Sequence, residues 1–280
     1  MMATSLRSSR MRYVNDLPIF GAFDAGAVAY PGTLYADVPA RLNAMMRSNE
    51  LDMGPISAFA YARDAEHYVL LPDLCIGARD EIVSVLLVSQ TPPALLDGVK
   101  IATTRESESG RNLLRVLLER RYGVRAEFVD DDDPLARARA GAPAMVIGDT
   151  AIDAHFIFEP EHVYDLGSLW RAWTGEQSIT AVWVARRDIY QTRLEEVRAC
   201  MHALTDAYSW GRASRDRIVE QAQAIRPRPP GFYEQYYAKL NFTFHLAAQS
   251  GLAAFCRELL AVGAIDALPP VVPEVLGVSR

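Results

Sequence analysis

Short apolar runs alternate with amphipathic stretches through the first half of the chain, at 11–14, 37–48, 52–56, 83–89, 99–104, 110–122 and 144–147. Such alternation predicts strands separated by helices, the α/β class. Within 37–48, Val38, Leu42, Met45 and Met46 stand at i, i+4, i+7 and i+8, so one helix has an apolar face to lay on a sheet. Leu113, Leu114, Leu117 and Leu118 form a second stripe, with Ser107 and Ser109 as N-cap residues ahead of it and Gly123 as its stop. Beyond Asp188 the pattern turns helical at 194–209, 214–224, 231–237 and 246–262, interrupted by Pro227, Pro229 and Pro230.

A chain of 280 residues can bury one large core or two smaller ones. Its 29 basic and 35 acidic residues give a net charge of −6, and no basic stripe stands out, which argues against a nucleic-acid partner. The longest apolar runs, 82–88 and 181–185, fall far short of the roughly 18 to 20 residues that span a bilayer, so no membrane partner is expected. The first twelve residues carry Arg7, Arg10 and Arg12 but no apolar leader, and read as the short frayed start of a cytoplasmic protein. Cys75, Cys200 and Cys256 are far apart and read as buried packing residues. The five histidines show no ligand spacing, so no metal is expected. The carboxylates of 130–133 lack the spacing of a calcium loop and read as a solvated turn.

Several strings then become informative in register. Tyr13-Val14-Asn15-Asp16-Leu17-Pro18, Leu51-Asp52-Met53-Gly54-Pro55-Ile56-Ser57, Leu71-Pro72-Asp73 and Val83-Ser84-Val85 come first. Ile147-Gly148-Asp149 with Ala151, Asp165-Leu166-Gly167, Trp170, Trp173-Thr174-Gly175, Ala181-Val182-Trp183, and Tyr237 with Leu240 and Phe242 follow. Together they resemble the futalosine-route menaquinone-biosynthesis family over nearly the whole chain. The resemblance implies a two-lobed fold like that of type II periplasmic binding proteins, with a ligand cleft between lobes joined by two crossover strands. Residues 1–88 and 184–280 would form the first lobe and 89–183 the inserted second, with crossovers near 83–90 and 181–186.

The activity implied is a hydro-lyase reaction on chorismate that yields 3-[(1-carboxyvinyl)oxy]benzoate, with no cofactor. A dicarboxylate bound by an acidic protein needs local donors. Ser107, Ser109 and Gly110 open a helix, where free N–H groups and the positive dipole end attract anions. Gly148, Asp149, Thr150 and Ala151 follow a buried strand, where a glycine lets backbone approach a ligand. Ser57 joins these as a substrate contact through the resemblance. Asn15 and Ser84 are its catalytic candidates: they would orient the enolpyruvyl carboxylate, acting as the base, or hydrogen-bond the departing hydroxyl. No histidine pairs with Ser84 in sequence, which argues against a nucleophile. Trp170, Trp173, Trp183 and Trp210 read as packing, and Arg79 and Arg105 stay outside the site.

Three features depart from the family pattern: Asp16 beside Asn15, Gly110 in place of a hydroxyl residue, and the polar 176–180 where an apolar run is usual. Two alternatives stand beside the hydro-lyase. One is a cleft that binds an aromatic or dicarboxylic acid without changing it. The other is the paralogous branch acting on a dehypoxanthine-futalosine-type substrate, for which His155 is the candidate base.

Overall fold

The computed structural model describes residues 5–274 and 276. Its strands are β1 (Arg7–Met11), β2 (Thr33–Asp37), β3 (Met53–Ser57), β4 (Tyr68–Ala78), β5 (Val85–Val88), β6 (Lys100–Thr103), β7 (Glu127–Asp130), β8 (Ala144–Ile147), β9 (Val163–Asp165), β10 (Ser178–Arg186) and β11 (Leu240–Thr243). The helices before the second crossover are α1 (Leu17–Asp24), α2 (Pro39–Arg47), α3 (Ala58–Asp64), α4 (Glu108–Val116), α5 (Pro134–Arg139), α6 (Gly148–Ala154) and α7 (Leu166–Thr174). After it come α8 (Arg187–Thr192), α9 (Leu194–Ala213), α10 (Arg215–Ile225), α11 (Phe232–Lys239) and α12 (Leu246–Ala261).

Two mixed sheets result. The first runs β11-β4-β10-β3-β1-β2 and the second β7-β6-β8-β5-β9. In the first, β1 is parallel to β2 and β3, while β10 runs antiparallel between β3 and β4. Every residue of β3, β5 and β8 is buried, as befits strands covered by helices on both faces. The periodic segments of the sequence appear where expected at α2, α4, α9, α10, α11 and α12, and the stripe at 113–118 is continued by a π-helical turn, Leu117–Tyr122, that ends at left-handed Gly123.

Two expectations change. The start is no frayed tail from Arg7 onward, because Arg7–Met11 is an inner strand of the first sheet. Its polar composition is absorbed by hydrogen bonds: Tyr30 Oη donates to Ser8 Oγ at 2.6 Å, Ser9 Oγ donates to the Pro55 carbonyl at 2.8 Å, and Arg7 pairs with Asp52 at 2.7 Å. The lobe limit at 88/89 leaves Val85–Val88, a strand of the second sheet, with the first lobe, and the limit at 183/184 cuts through Ser178–Arg186, all of which belongs to the first sheet. The chain passes between sheets at 79–84 and 175–177 instead. The acidic run lies at the surface, as expected, and its carboxylates are engaged there: Asp130 pairs with Arg105 and Arg111, Asp131 pairs with Arg137, and Asp133 caps α5 through the Ala136 N–H. Cys75, Cys200 and Cys256 are buried and unpaired, as expected.

The long α9 packs across α1, and the crossing depends on a glycine. A Cβ on Gly211 would lie 2.2 Å from the Pro18 carbonyl oxygen, a backbone atom that cannot swing away. Gly211→Ala should therefore cost about 1–3 kcal/mol of stability by overpacking, read as a melting temperature lowered by a few degrees. An unchanged melting temperature would show that α1 and α9 do not approach this closely.

Candidate functional site

A cleft is lined from both sheets. The carboxyl ends of β1, β3 and β8, the start of α4, the 79–84 crossover and the start of β10 all reach it. Strand ends are where backbone stops pairing with itself and side chains turn toward a ligand.

Asn15 sits in a one-turn 3-10 segment, Val14–Asp16, directly after β1. Its Oδ1 is buried, lines the cleft and has no partner, so a bound donor would satisfy it. Ser84 lies in the crossover and is buried; its hydroxyl has only a long contact, 3.4 Å, to the Ile82 carbonyl, and the buried Tyr236 hydroxyl faces it. Ser57 caps α3, and its Oγ accepts from Ala60 N–H at 3.2 Å and Asn43 Nδ2 at 3.0 Å. With both lone pairs used, the Ser57 hydroxyl is left as a donor. Asn43 fixes this state from below, because its Oδ1 accepts the Ser57 N–H at 3.0 Å and its Nδ2 also donates to Glu108.

At the start of α4, Ser107 Oγ accepts the Gly110 N–H at 3.0 Å and Ser109 Oγ accepts the Phe59 N–H at 2.8 Å. Both hydroxyl protons remain available to a ligand. Gly110 lacks room for a side chain: a Cβ would stand 2.9 Å from Ser107 Oγ and 3.2 Å from Val85. Gly148, at φ 59, donates its N–H to the Ser84 carbonyl at 2.8 Å, and a Cβ there would lie 2.7 Å from the Tyr13 ring.

Asn15, Ser57, Ser84, Ser107, Ser109, Gly110 and Gly148 are thus brought together. Asp149, Thr150 and Ala151 are not, because α6 begins at Gly148 and winds them away from the cleft. Asp149 accepts from Val14 N–H at 3.4 Å, and burial pushes its carboxyl up. Thr150 is exposed, and Ala151 packs in a small core behind the second sheet. His155 also lies outside the cleft lining, with its Nε2 2.9 Å from the Val83 carbonyl.

Sequence reasoning missed several cleft residues. Trp170 and Phe255 form an edge-to-face apolar wall, so Trp170 serves both cleft and core. Trp183 stacks on Phe20 inside the core, and Trp173 and Trp210 pack against it, as expected. Tyr13 donates to Glu106 at 2.8 Å across the two sheets, and burial pushes its phenol far up. Ser178 is buried at the cleft with an unpartnered Oγ; its only signal in the sequence was the polar character of 176–180. Arg79 and Arg105 do not line the cleft, and among the described lining residues none is Lys, Arg or His. Anions there meet neutral hydroxyl and backbone donors.

The Asp16 carboxylate, next to Asn15, turns away from the cleft into Arg10, whose Nε stands 2.9 Å from Oδ2. Burial pushes Asp16 up to about 7, against the pull of Arg10. A carboxyl raised in the folded state stabilises fully below its unfolded value, and that contribution is lost as pH rises through about 7. The melting temperature of the wild type relative to Asp16→Asn should therefore fall between about pH 4 and 7. A constant difference across that window would mean that Asp16 is ionised throughout.

Comparison with known proteins places this geometry. A family model described as menaquinone biosynthesis matches residues 6–260. A chorismate dehydratase of Thermus thermophilus is 31% identical over 240 residues, covering 79% of this chain and 84% of that protein. A solved protein of Archaeoglobus fulgidus superposes with a TM-score of 0.76 at 17% identity, covering 95% of this chain and all (100%) of that one. The periplasmic aliphatic sulphonate-binding protein of Escherichia coli follows with a TM-score of 0.69 at 12% identity, over 99% of this chain and 95% of that one. The two-lobed periplasmic-binding-protein fold is therefore the fold of this chain.

Proposed function

The chain belongs to the menaquinone biosynthesis family, and from that premise we propose that it is a chorismate dehydratase of the futalosine route, working in the cytoplasm without a cofactor. The observation that carries this reading is the identity to the Thermus dehydratase over most of both chains. The cleft supports it with chemistry suited to a neutral-walled dicarboxylate site.

The reaction breaks the C–H bond at the ring carbon bearing the enolpyruvyl ether and the C–O bond at the adjacent hydroxyl-bearing carbon. Water leaves and the ring becomes aromatic, so the chemistry needs a base and a held geometry but no covalent intermediate. Among the described lining residues, Tyr13 is the titrating side chain, and its raised phenol is no base near neutral pH. The substrate's own enolpyruvyl carboxylate takes the ring proton and returns it to the departing oxygen. Asn15 engages the ring hydroxyl through its open Oδ1, and Ser84 holds the enolpyruvyl carboxylate in reach of the C–H. Ser57, Ser107 and Ser109 donate to carboxylate oxygens, and Trp170 and Phe255 face the apolar part of the ring.

Incubating the protein with chorismate alone, and following chorismate loss and aromatic enolpyruvyl ether by chromatography with mass detection, tests the assignment. Wild type should turn over. Asn15→Ala and Ser84→Ala should each lose about 10²-fold or more in kcat with their thermal melts intact. Tight chorismate binding without product would make the cleft a binder, as in the sulphonate-binding neighbour; neither binding nor product would refute chorismate as the ligand.

A further inference from the structure

The crossover that delivers Ser84 to the cleft carries a conformation its sequence disfavours. Val83 lies at φ 66, in the left-handed region where a β-branched side chain crowds its own backbone. Several contacts hold it there. Asp165 Oδ2 accepts the Val83 N–H at 2.6 Å, and Oδ1 accepts the Ile82 N–H at 3.1 Å. The Val83 carbonyl meets His155 Nε2 at 2.9 Å, and the Ser84 carbonyl accepts the Gly148 N–H at 2.8 Å. Gly167 allows the close approach, since a Cβ there would lie 2.7 Å from the Asp80 carbonyl oxygen.

Asp165 also caps α7 by accepting the Ser168 N–H at 2.9 Å, an ordinary duty that needs one oxygen. The second oxygen has no helical task, and its shortest bond goes to the strained residue. We propose that Asp165 is a positioning residue, whose carboxylate clamps Val83 in the left-handed conformation and so points the Ser84 hydroxyl into the cleft. This rests on the dehydratase reading for the role of Ser84. A carboxylate suits the task because it offers acceptors only: an asparagine would turn either its amide nitrogen or a single oxygen toward two adjacent N–H donors. Glycine reaches a positive φ without help, so a glycine at 83 makes the clamp dispensable.

The experiment compares wild type, Asp165→Asn, Asp165→Ser and the double variant Asp165→Ser with Val83→Gly in steady-state turnover of chorismate. Asp165→Ser keeps a cap for α7 but is too short to hold both amides. Each single variant should lose about 10²-fold in kcat, with KM within about threefold, because Ser57, Ser107 and Ser109 still bind the carboxylates while the enolpyruvyl carboxylate loses its aim at the ring C–H. The double variant should regain most of that kcat while its melting temperature rises no higher than that of Asp165→Ser, a split that a purely structural role would not produce. Wild-type kcat in Asp165→Ser, or a double variant as slow as the single, would overturn the proposal. If wild type itself fails to turn over chorismate, the dehydratase reading falls. Amide hydrogen exchange then tests the clamp by itself: in Asp165→Ser, faster exchange at Ile82 and Val83 with α7 still protected supports it, and unchanged protection overturns it.

Discussion

The antiparallel strand β10 holds this molecule together. It lies between β3 and β4, pairs with both along most of its length, and is contributed by chain that has already built the second sheet. Without it the first sheet is two fragments, one parallel around β1 and one the antiparallel pair of β4 with β11, itself a long-range pairing. The middle of the first sheet therefore closes only through a long-range contact, and such contacts form late because loop closure must precede them. The same strand brings Ser178, Ile179 and Thr180 to the cleft, so the element that completes the sheet also completes the site.

Within the cleft, neutrality is the organising property. The Ser57 hydroxyl, with its lone pairs filled by two N–H groups, is a donor that cannot reverse its role, and Ser107 and Ser109 each accept one backbone N–H and keep a proton to donate. Fixed dipoles of this kind stabilise charge without having to reorient during a reaction. Arginines are plentiful nearby but are spent elsewhere, on Asp52, Asp16, Asp153 and Asp130. An acidic chain thereby builds a cleft in which, among the described lining residues, the side-chain donors are neutral.

Where apolar periodicity was strong, as in α2 and the α4 stripe, the sequence showed the elements well. The serine junction at 107–110 and the glycine at 148 were legible because helix capping and positive φ leave residue-type signatures. What escaped was decided by distant partners. Arg7–Met11 is polar in composition and is a strand only because Asp52, Pro55 and Tyr30 answer its side chains. Asp149, Thr150 and Ala151 share the strand-end position of Gly148, and the direction in which α6 winds removes them from the cleft. His155 has the right neighbourhood in sequence and the wrong partner in space. The unpartnered Ser178 hydroxyl depends on what surrounds it, which no local pattern encodes.

One set of contacts bears on time rather than position. Ser109 receives the Phe59 N–H, Glu106 receives Tyr13 and the Ala40 N–H, and Glu108 receives Asn43 and Arg63, so a set of hydrogen bonds joins the two halves of the molecule around the mouth of the cleft. A cleft held shut in this way needs one opening for entry and one for release, and hinge motions of that kind run on the microsecond-to-millisecond scale. Because aromatisation makes the chemical step run one way, the slower of those openings sets a ceiling on throughput that refinement of the catalytic groups cannot raise.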